Sequence, residues 1–409
     1  MKKTFIAAAV LSTIAGTVSA QVANSDSKSF SVLYGVVDVG AGITSKVHDA
    51  NSEGAKDKAK FNFGSGQNSG NRWGFYIKER LGGGLYAVGR LESGFSIGNG
   101  SSGQGGKLFG RQAYFGLGND SFGVVTLGRQ ETSTNFVTPF AIGDILGGIA
   151  ATPFDFNNLD GTYKVNNSIK YTSPNFYGIR ATGLYSIGGV TGKFSGNQVY
   201  SFGLSYGMPD ENGQNGQPLK VAAAFLNADN PKESLVKANL SAESVEKILN
   251  KSKEVSLSNV LDFGLVNSLN LFSEGYRVMT GGASYTIKNA TLGLLYSNTR
   301  FKNLGQTKSN ITWHDAQANL AYKVTSALKL AAGYTFSRGS EAFQEFGFDG
   351  KPVLHTASLG SIYSLSNRTS IYLVGAYQRT NGAIAKLNDA EFTVNKNQIK
   401  GTVGIVHKF

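Results

Sequence analysis

The chain has 409 residues and a formal net charge of +12, with 53 glycines, 7 prolines and no cysteine. The absence of thiols excludes disulfides, thiol catalysis and cysteine-ligated metal. High glycine, low proline and many Tyr and Phe suit long paired strands with tight turns and ring girdles better than a string of soluble domains.

Lys2-Lys3, the apolar run from Phe5 to Gly16 and Val18-Ser19-Ala20 predict a signal peptide over 1–20, leaving 21–409 as one domain. Leu33, Gly35, Val37 and Val39 then alternate with Tyr34, Val36 and Asp38, the period of a strand. Lys46 to Ser69 is polar and charged and reads as a long loop. Trp73, Phe75 and Ile77 alternate with Arg72, Tyr76 and Lys78, and Gly82-Gly83-Gly84 makes a tight turn. In the return strand Leu85, Ala87 and Leu91 alternate with Val88, Arg90 and Glu92.

At Glu131–Asn166 the alternation stops. Thr138-Pro139 predicts a helix start with a hydroxyl N-cap, and Gly147-Gly148 a stop. Ile142, Ile145 and Leu146 then share one helical face, with Asp144 roughly opposite. This pattern predicts a segment that folds into a barrel and narrows it, its apolar side on the wall and its carboxylate in open space.

Beyond it the alternation resumes, with long connections at 44–71, 96–108, 131–165, 187–198, 227–274, 301–309, 338–352 and 380–397. Between them lie short turns, with one longer exception near Asp210–Gln217. The count is about sixteen strands, with both chain ends on the short-turn side. Tyr200, Phe202, Leu204 and Tyr206 share one face, as do Leu328, Leu330, Ala332, Tyr334 and Phe336 opposite Lys329, Gly333 and Thr335. Rings at the ends of such faces suit a bilayer interface. Only a closed barrel lets strands cross lipid with every backbone group paired. The fold expected is therefore all-β, an antiparallel transmembrane barrel with one loop folded inward. The faces of the strand Arg368–Gln378 stay unassigned. Ser241–Lys253, inside the long extracellular loop 227–274, has Val245, Ile248 and Leu249 at helical spacing and predicts a short surface helix.

Several motifs together carry a family resemblance: Leu33-Tyr34-Gly35-Val36-Val37-Asp38-Val39-Gly40, Asn71-Arg72-Trp73-Gly74-Phe75, Leu91-Glu92-Ser93-Gly94-Phe95, Gly110-Arg111-Gln112-Ala113-Tyr114-Phe115-Gly116-Leu117, Asn167-Ser168-Ile169-Lys170-Tyr171-Thr172-Ser173-Pro174 and the closing Val403-Gly404-Ile405-Val406-His407-Lys408-Phe409. Over essentially the whole mature chain the sequence resembles the general diffusion porins of the Gram-negative outer membrane, a trimeric sixteen-stranded family. Lys78-Glu79-Arg80 departs from the acidic residues usual before the glycine turn.

The resemblance implies a water-filled pore for passive diffusion of small hydrophilic solutes and ions, with 131–166 as the constriction loop. Asp144 is the leading acidic residue there, followed by Asp155 and Asp160, for which turn-capping is the alternative. Facing them the basic wall comprises Arg72, Lys78, Arg90, Arg111 and Lys170, and Asp38 and Glu92 are further lumenal groups. A mid-strand cation on the lipid face would cost about 2–4 kcal/mol, which favours lumenal placement. Arg80 and Arg129 fit charges at strand ends. Gly98–Gly106 resembles the latch to a neighbouring subunit, and Phe409 the C-terminal assembly signal.

The implied partners are the chain itself as a homotrimer, outer-membrane lipid and lipopolysaccharide, and the permeating solutes. The basic wall leans the pore toward anions. Rival readings are a substrate-specific channel, which needs lumenal aromatics, and a surface adhesin or receptor using the long loops. A barrel enzyme would need a nucleophile–base set. His314-Asp315, adjacent on a strand, cannot pair. The scattered histidines (His48, His314, His355 and His407) predict no metal, no cofactor is expected, and the dispersed positive charge does not suit nucleic acid.

Overall fold

The computed structural model describes residues 29–47, 57–210, 213, 216–251, 265–305, 308–346, 350–382, 385–387, 393 and 395–409, so the predicted signal segment 1–20 lies outside the described residues. The chain forms β1 Phe30–Val47, β2 Lys58–Ser65, β3 Arg72–Gly82, β4 Leu85–Gly94, β5 Gln112–Asn119, β6 Gly123–Glu131, β7 Lys164–Thr172, β8 Ile179–Ser186, β9 Val199–Tyr206, β10 Leu219–Asp229, β11 Gly275–Ile287, β12 Ala290–Leu304, β13 Ser309–Lys323, β14 Leu328–Gly339, β15 Val353–Ser364, β16 Thr369–Asn381 and β17 Asn397–Lys408. Each strand pairs antiparallel with its neighbours, and β17 returns to β1 with Val36 opposite Lys408 and Thr44 opposite Lys400. This closes the sheet on itself into a barrel.

Seventeen segments make sixteen staves. β2 and β3 lie on the same side of β1, β3 against Phe30–Val36 and β2 against Val39–Val47. They form one stave interrupted at residues 66–71. The expectation of an unbroken loop from Lys46 to Ser69 is corrected here: Phe61 and Phe63 face outward with 78% and 74% exposure, and Asn62 alternates with them. Flanking lysines and glycines hide this short strand in the sequence.

Alternation sorts the two faces. Leu292, Leu294 and Tyr296 on β12 are exposed outward, while Leu295, Ser297 and Thr299 between them are buried inward. The strand left unassigned is now placed: Tyr372, Val374, Ala376 and Gln378 face in, and Ile371, Leu373 and Tyr377 face out. At closure Phe409 exchanges two backbone hydrogen bonds with Gly35, at 3.0 and 3.1 Å. A Cβ on Gly35 would meet the Phe409 ring at 2.3 Å, so the aromatic end and the glycine fit as a pair.

The interior is filled unevenly. The connection from β10 to β11 contributes short helical turns over 232–239, a helix Ala242–Lys251 and a helix Leu265–Phe272. The Ser241 hydroxyl accepts the Ser244 N–H at 3.2 Å, which caps the predicted helix. This connection folds inward more than a surface helix would. Leu235, Val236, Val245, Leu265 and Leu269 join one buried cluster with Phe156, Tyr276, Phe301, Trp313 and Leu354 from the constriction loop and the strands.

Candidate functional site

The segment between β6 and β7 runs along the inward faces of the strands after β7. Its start, Ser133, donates its N–H to Ser201 Oγ at 3.0 Å on β9. Phe140 C=O accepts from Asn319 Nδ2 at 2.7 Å, and Ile142 N–H donates to Gln317 Oε1 at 2.7 Å, both on β13. Inward glycines make the space: a Cβ would meet Phe140 at 2.7 Å from Gly282, Ile142 at 2.6 Å from Gly333 and Leu146 at 2.8 Å from Gly360. Three strands thus carry notches that seat one loop.

The helix in this segment is Ile142–Leu146, later than the Thr138 cap suggested. Thr138 instead opens a 3₁₀ turn, and its hydroxyl donates to Leu159 C=O at 2.9 Å. Ile142 and Leu146 are buried against Ala331, Tyr372 and Val374, as the helical phase required. Gly147, at φ 90°, ends the helix, and Gly148 N–H donates to Gln67 C=O at 2.9 Å. The loop therefore crosses the barrel from β6 and docks its tip on the break between β2 and β3.

Asp38 holds that break. Its carboxylate accepts the Asn68 and Ser69 N–H groups at 2.6 Å each and the Tyr372 hydroxyl at 2.8 Å. It points inward but is fully enclosed, so its role is to fix the dock rather than to meet solute.

The wall formed by β3 to β7 carries the charge, and Arg90 and Glu92 on it are themselves buried. Arg90 lies over the rings of Tyr76 at 5.2 Å and Tyr34 at 5.7 Å, and its buried Nε has no hydrogen-bond partner. Glu92 is a hub: Arg111 Nε stands 2.7 Å from one carboxylate oxygen, and the Tyr34 hydroxyl donates to the other at 2.7 Å. Arg72 Nε lies 3.9 Å from the second oxygen. Arg111 precedes β5 and reaches inward off the regular pairing, with its N–H donating to Glu92 C=O at 3.1 Å. Lys170 donates to Glu131 C=O at 3.0 Å. Lys78 is nearer the short-turn end, 4.6 Å from the Tyr86 ring centre. One carboxylate thus serves two arginines, and the wall keeps a positive excess.

The acidic residues separate. Asp144 is half-exposed on the lumenal side of its helix. Enclosure by the wall is the largest influence on its carboxyl and pushes it up to about 7, against the pull of Lys329, Lys408 and Arg72. Asp155 is buried, with its two oxygens taking the Asp160 N–H at 2.9 Å and the Thr162 N–H at 3.0 Å. It caps its own turn and does not reach open lumen. Asp160 is exposed beside it.

Arg129 is no rim charge. It is buried and donates to Gly110 C=O at 2.8 Å and Asn239 Oδ1 at 2.6 Å, tying the wall to the β10–β11 connection. Arg80 does pair at the short-turn end, with Asp120 at 2.6 Å. Lys329 and Lys408, which act on Asp144, were available from parity alone, as inward neighbours of Leu328 and His407. So were Arg180 on β8, Lys220 on β10 and Lys323, which stands directly opposite Lys329. All are inward cations toward the short-turn mouth. Most strand aromatics face out, but Tyr34, Tyr76 and Tyr114 face in around Arg90.

Known proteins agree with this geometry. The family model described as Gram-negative porin matches residues 7–383. An outer membrane porin protein of Bordetella pertussis is 29% identical over 435 residues, covering all of both chains. Among solved structures, the anion-selective porin from Comamonas acidovorans superposes with a TM-score of 0.68 at 20% identity, over 93% of this chain and all of that one. OmpT of Vibrio cholerae in a trimer form gives 0.59 at 15%, again over 93% and all of that chain. Salmonella typhi OmpF in complex with daunomycin gives 0.57 at 16%, over 93% and 97%. A closed sixteen-stave barrel with an apolar outside and a charged inside, matched over nearly its whole length, belongs to the Gram-negative porin family: the chain is an outer-membrane channel for passive diffusion of small solutes.

Proposed function

We propose that this porin favours anions, and that its selective gap lies between Asp144 on the 131–166 loop and the wall bearing Arg72, Arg90, Arg111 and Lys170. The observation that carries the reading is the unpaired Arg90, stacked on two tyrosines beside a wall where one carboxylate serves two arginines. Charges lining the narrowest ring decide which ions pass. Oppositely signed groups across a narrow gap set up a transverse field, and anions follow the basic side. Lys220, Lys323 and Lys329 extend the positive lining toward the short-turn mouth. The fold shared with an anion-selective porin supports the same sign.

The working unit in this reading is a homotrimer set in outer-membrane lipid and lipopolysaccharide, each mature chain running from Gln21 after loss of 1–20. A trimer form of a porin with this fold supports the assembly. The Gly98–Gly106 latch would have a fixed base, since Gly105 abuts Leu240 and Ser241 of its own chain. The channel acts by passage, not catalysis; His314 and Asp315 stand on opposite faces of β13. A single-channel recording of the wild-type protein across a salt gradient tests the reading. An anion-signed reversal potential with three closing steps supports it, and a cation-signed one refutes the selectivity.

A further inference from the structure

Six consecutive strands, β11 to β16, each carry a basic side chain on the outward face near the long-loop end. The register sets them directly opposite in three pairs: Arg277 with Arg300, His314 with Arg338, and His355 with Arg379. Successive pairs are diagonal neighbours, because Arg300 stands opposite Thr312, two residues from His314, and Arg338 stands opposite Val353, two residues from His355. The buried Trp313 and Asp315 on either side of His314, and Ser337 beside Arg338, fix the outward parity. At ~4.8 Å per strand the row spans roughly 24 Å.

Arg277 and Arg300 are like charges directly opposite, which destabilises their strand pair, and with Arg338 and Arg379 beside the two histidines the row calls for an outside anion. Among the described residues no carboxylate pairs with any of the six. The rim acids are engaged elsewhere, Glu274 by Lys308 and Glu341 by Lys351. Asp229, diagonal to Arg277 across β10, accepts from Gln198 and Asn227. The Nε groups of Arg277 and Arg300 are buried without a partner.

Depth supplies the second argument. Tyr296, Tyr334 and Tyr377 are exposed on the same outward face, one step toward mid-membrane from the row. The Tyr296 hydroxyl bonds His314 Nδ1 at 2.7 Å, and the Tyr334 hydroxyl bonds His355 Nδ1. Such rings sit at the headgroup boundary of a bilayer. The four arginines of the row, just beyond these rings, stand at the depth of lipid phosphates.

We propose that this row is a binding site for the phosphate-bearing headgroups of the outer leaflet. Arginine offers phosphate a planar fork of donors, and four of the six residues are arginine. The proposal rests on the reading above, which sets the barrel in lipid and lipopolysaccharide, and gives that partner a location. The row lies outside β11–β16 while the charged lumenal wall lies on β3–β7, so lipid binding is separable from conduction.

The test uses the full mature protein in mild detergent with lipopolysaccharide as the probe, and retained lipid per chain is read by native mass spectrometry. Dephosphorylated lipopolysaccharide and millimolar inorganic phosphate run in parallel. Arg277→Gln with Arg300→Gln, and separately Arg338→Gln with Arg379→Gln, should each lower retention roughly tenfold at unchanged conductance. Should a double variant fail to fold, the single substitutions Arg338→Gln and Arg379→Gln, both of exposed side chains, carry the same prediction. Unchanged retention in the variants, equal retention of the dephosphorylated probe, or displacement by inorganic phosphate alone would overturn the site. Conductance on the same samples separates the two readings: wild type that conducts but retains no lipid sinks this proposal only, and wild type that retains lipid but shows no anion preference sinks only the proposed selectivity.

Discussion

The two halves of the barrel interior are built on opposite principles. From β8 to β16 the inward face is notched with glycine and covered by two connections that pack into it, and apart from the buried Asp315 and the cations Arg180, Lys220, Lys323 and Lys329 toward the short-turn mouth it is lined mainly with apolar and neutral polar side chains. From β3 to β7 the inward face carries arginine, lysine and tyrosine packed against one another around the buried Glu92. The first half supplies shape and the second supplies charge. A substitution should therefore disturb stability on one side and ion preference on the other.

The largest expected effect belongs to the covered half. Trp313 is fully buried in the cluster where Phe154, Phe156 and Phe343 meet it at ring distances of 5.8, 5.1 and 5.4 Å. Trp313→Ala should destabilise this packing by about 3–5 kcal/mol and release the β10–β11 connection while the barrel stays closed. Limited proteolysis checks it: new cleavage within 232–272 is expected, at little change in ion preference.

A smaller effect follows from refilling a notch. Gly333→Leu would drive a side chain into Ile142, at a cost of about 1–3 kcal/mol for overpacking. The loop should lift from the wall and single-channel conductance should change. Conductance equal to wild type would mean that the loop does not border the conducting path.

The smallest of the three effects concerns Asp144. Its carboxyl is pushed up to about 7, so the charged form prevails above that pH and the neutral form below it. Proton uptake removes a negative charge opposite the basic wall. Anion preference in dilute salt should therefore rise as pH falls from 8 to 5. Asp144→Asn should show the low-pH preference throughout, and a variant that keeps the wild-type pH dependence would assign it to another group.

The alternation of short strands was enough to read the barrel and its sixteen staves, but not every long connection: 44–71 holds β2, and 301–309 is only the short link between Leu304 and Ser309. β2 escaped because eight residues flanked by lysines resemble a loop, although Phe61 and Phe63 kept the period. The packed face of Ile142 and Leu146 was legible from helical phase, and the turn-capping alternative for Asp155 from its Phe-Asp-Phe setting. The place of Arg111 was not, since it lies just off the regular pairing of β5, where parity no longer applies. Nor was the inward fold of 232–272. It depends on contacts such as Arg129 to Asn239 and Tyr163 to Asn267, between residues 110 and 104 positions apart. The enclosure of Asp38 likewise needs Tyr372, which only barrel closure brings near.

The account stands most directly on the charge of the β3–β7 wall. Arg111 is a poor residue with which to test it, because its removal strips a close partner from the buried Glu92 and confounds selectivity with stability. Arg90 and Lys170 are in no ion pair among the described residues, so Arg90→Gln with Lys170→Gln removes two positive charges and orphans no carboxylate. The decisive measurement is the reversal potential of this double variant and of wild type across a gradient of dilute salt, repeated at 1 M, where the screening length falls to about 3 Å. The account predicts an anion preference in wild type, a clear shift toward cations in the variant, and convergence of the two at high salt. A variant that keeps the wild-type preference in dilute salt would contradict it.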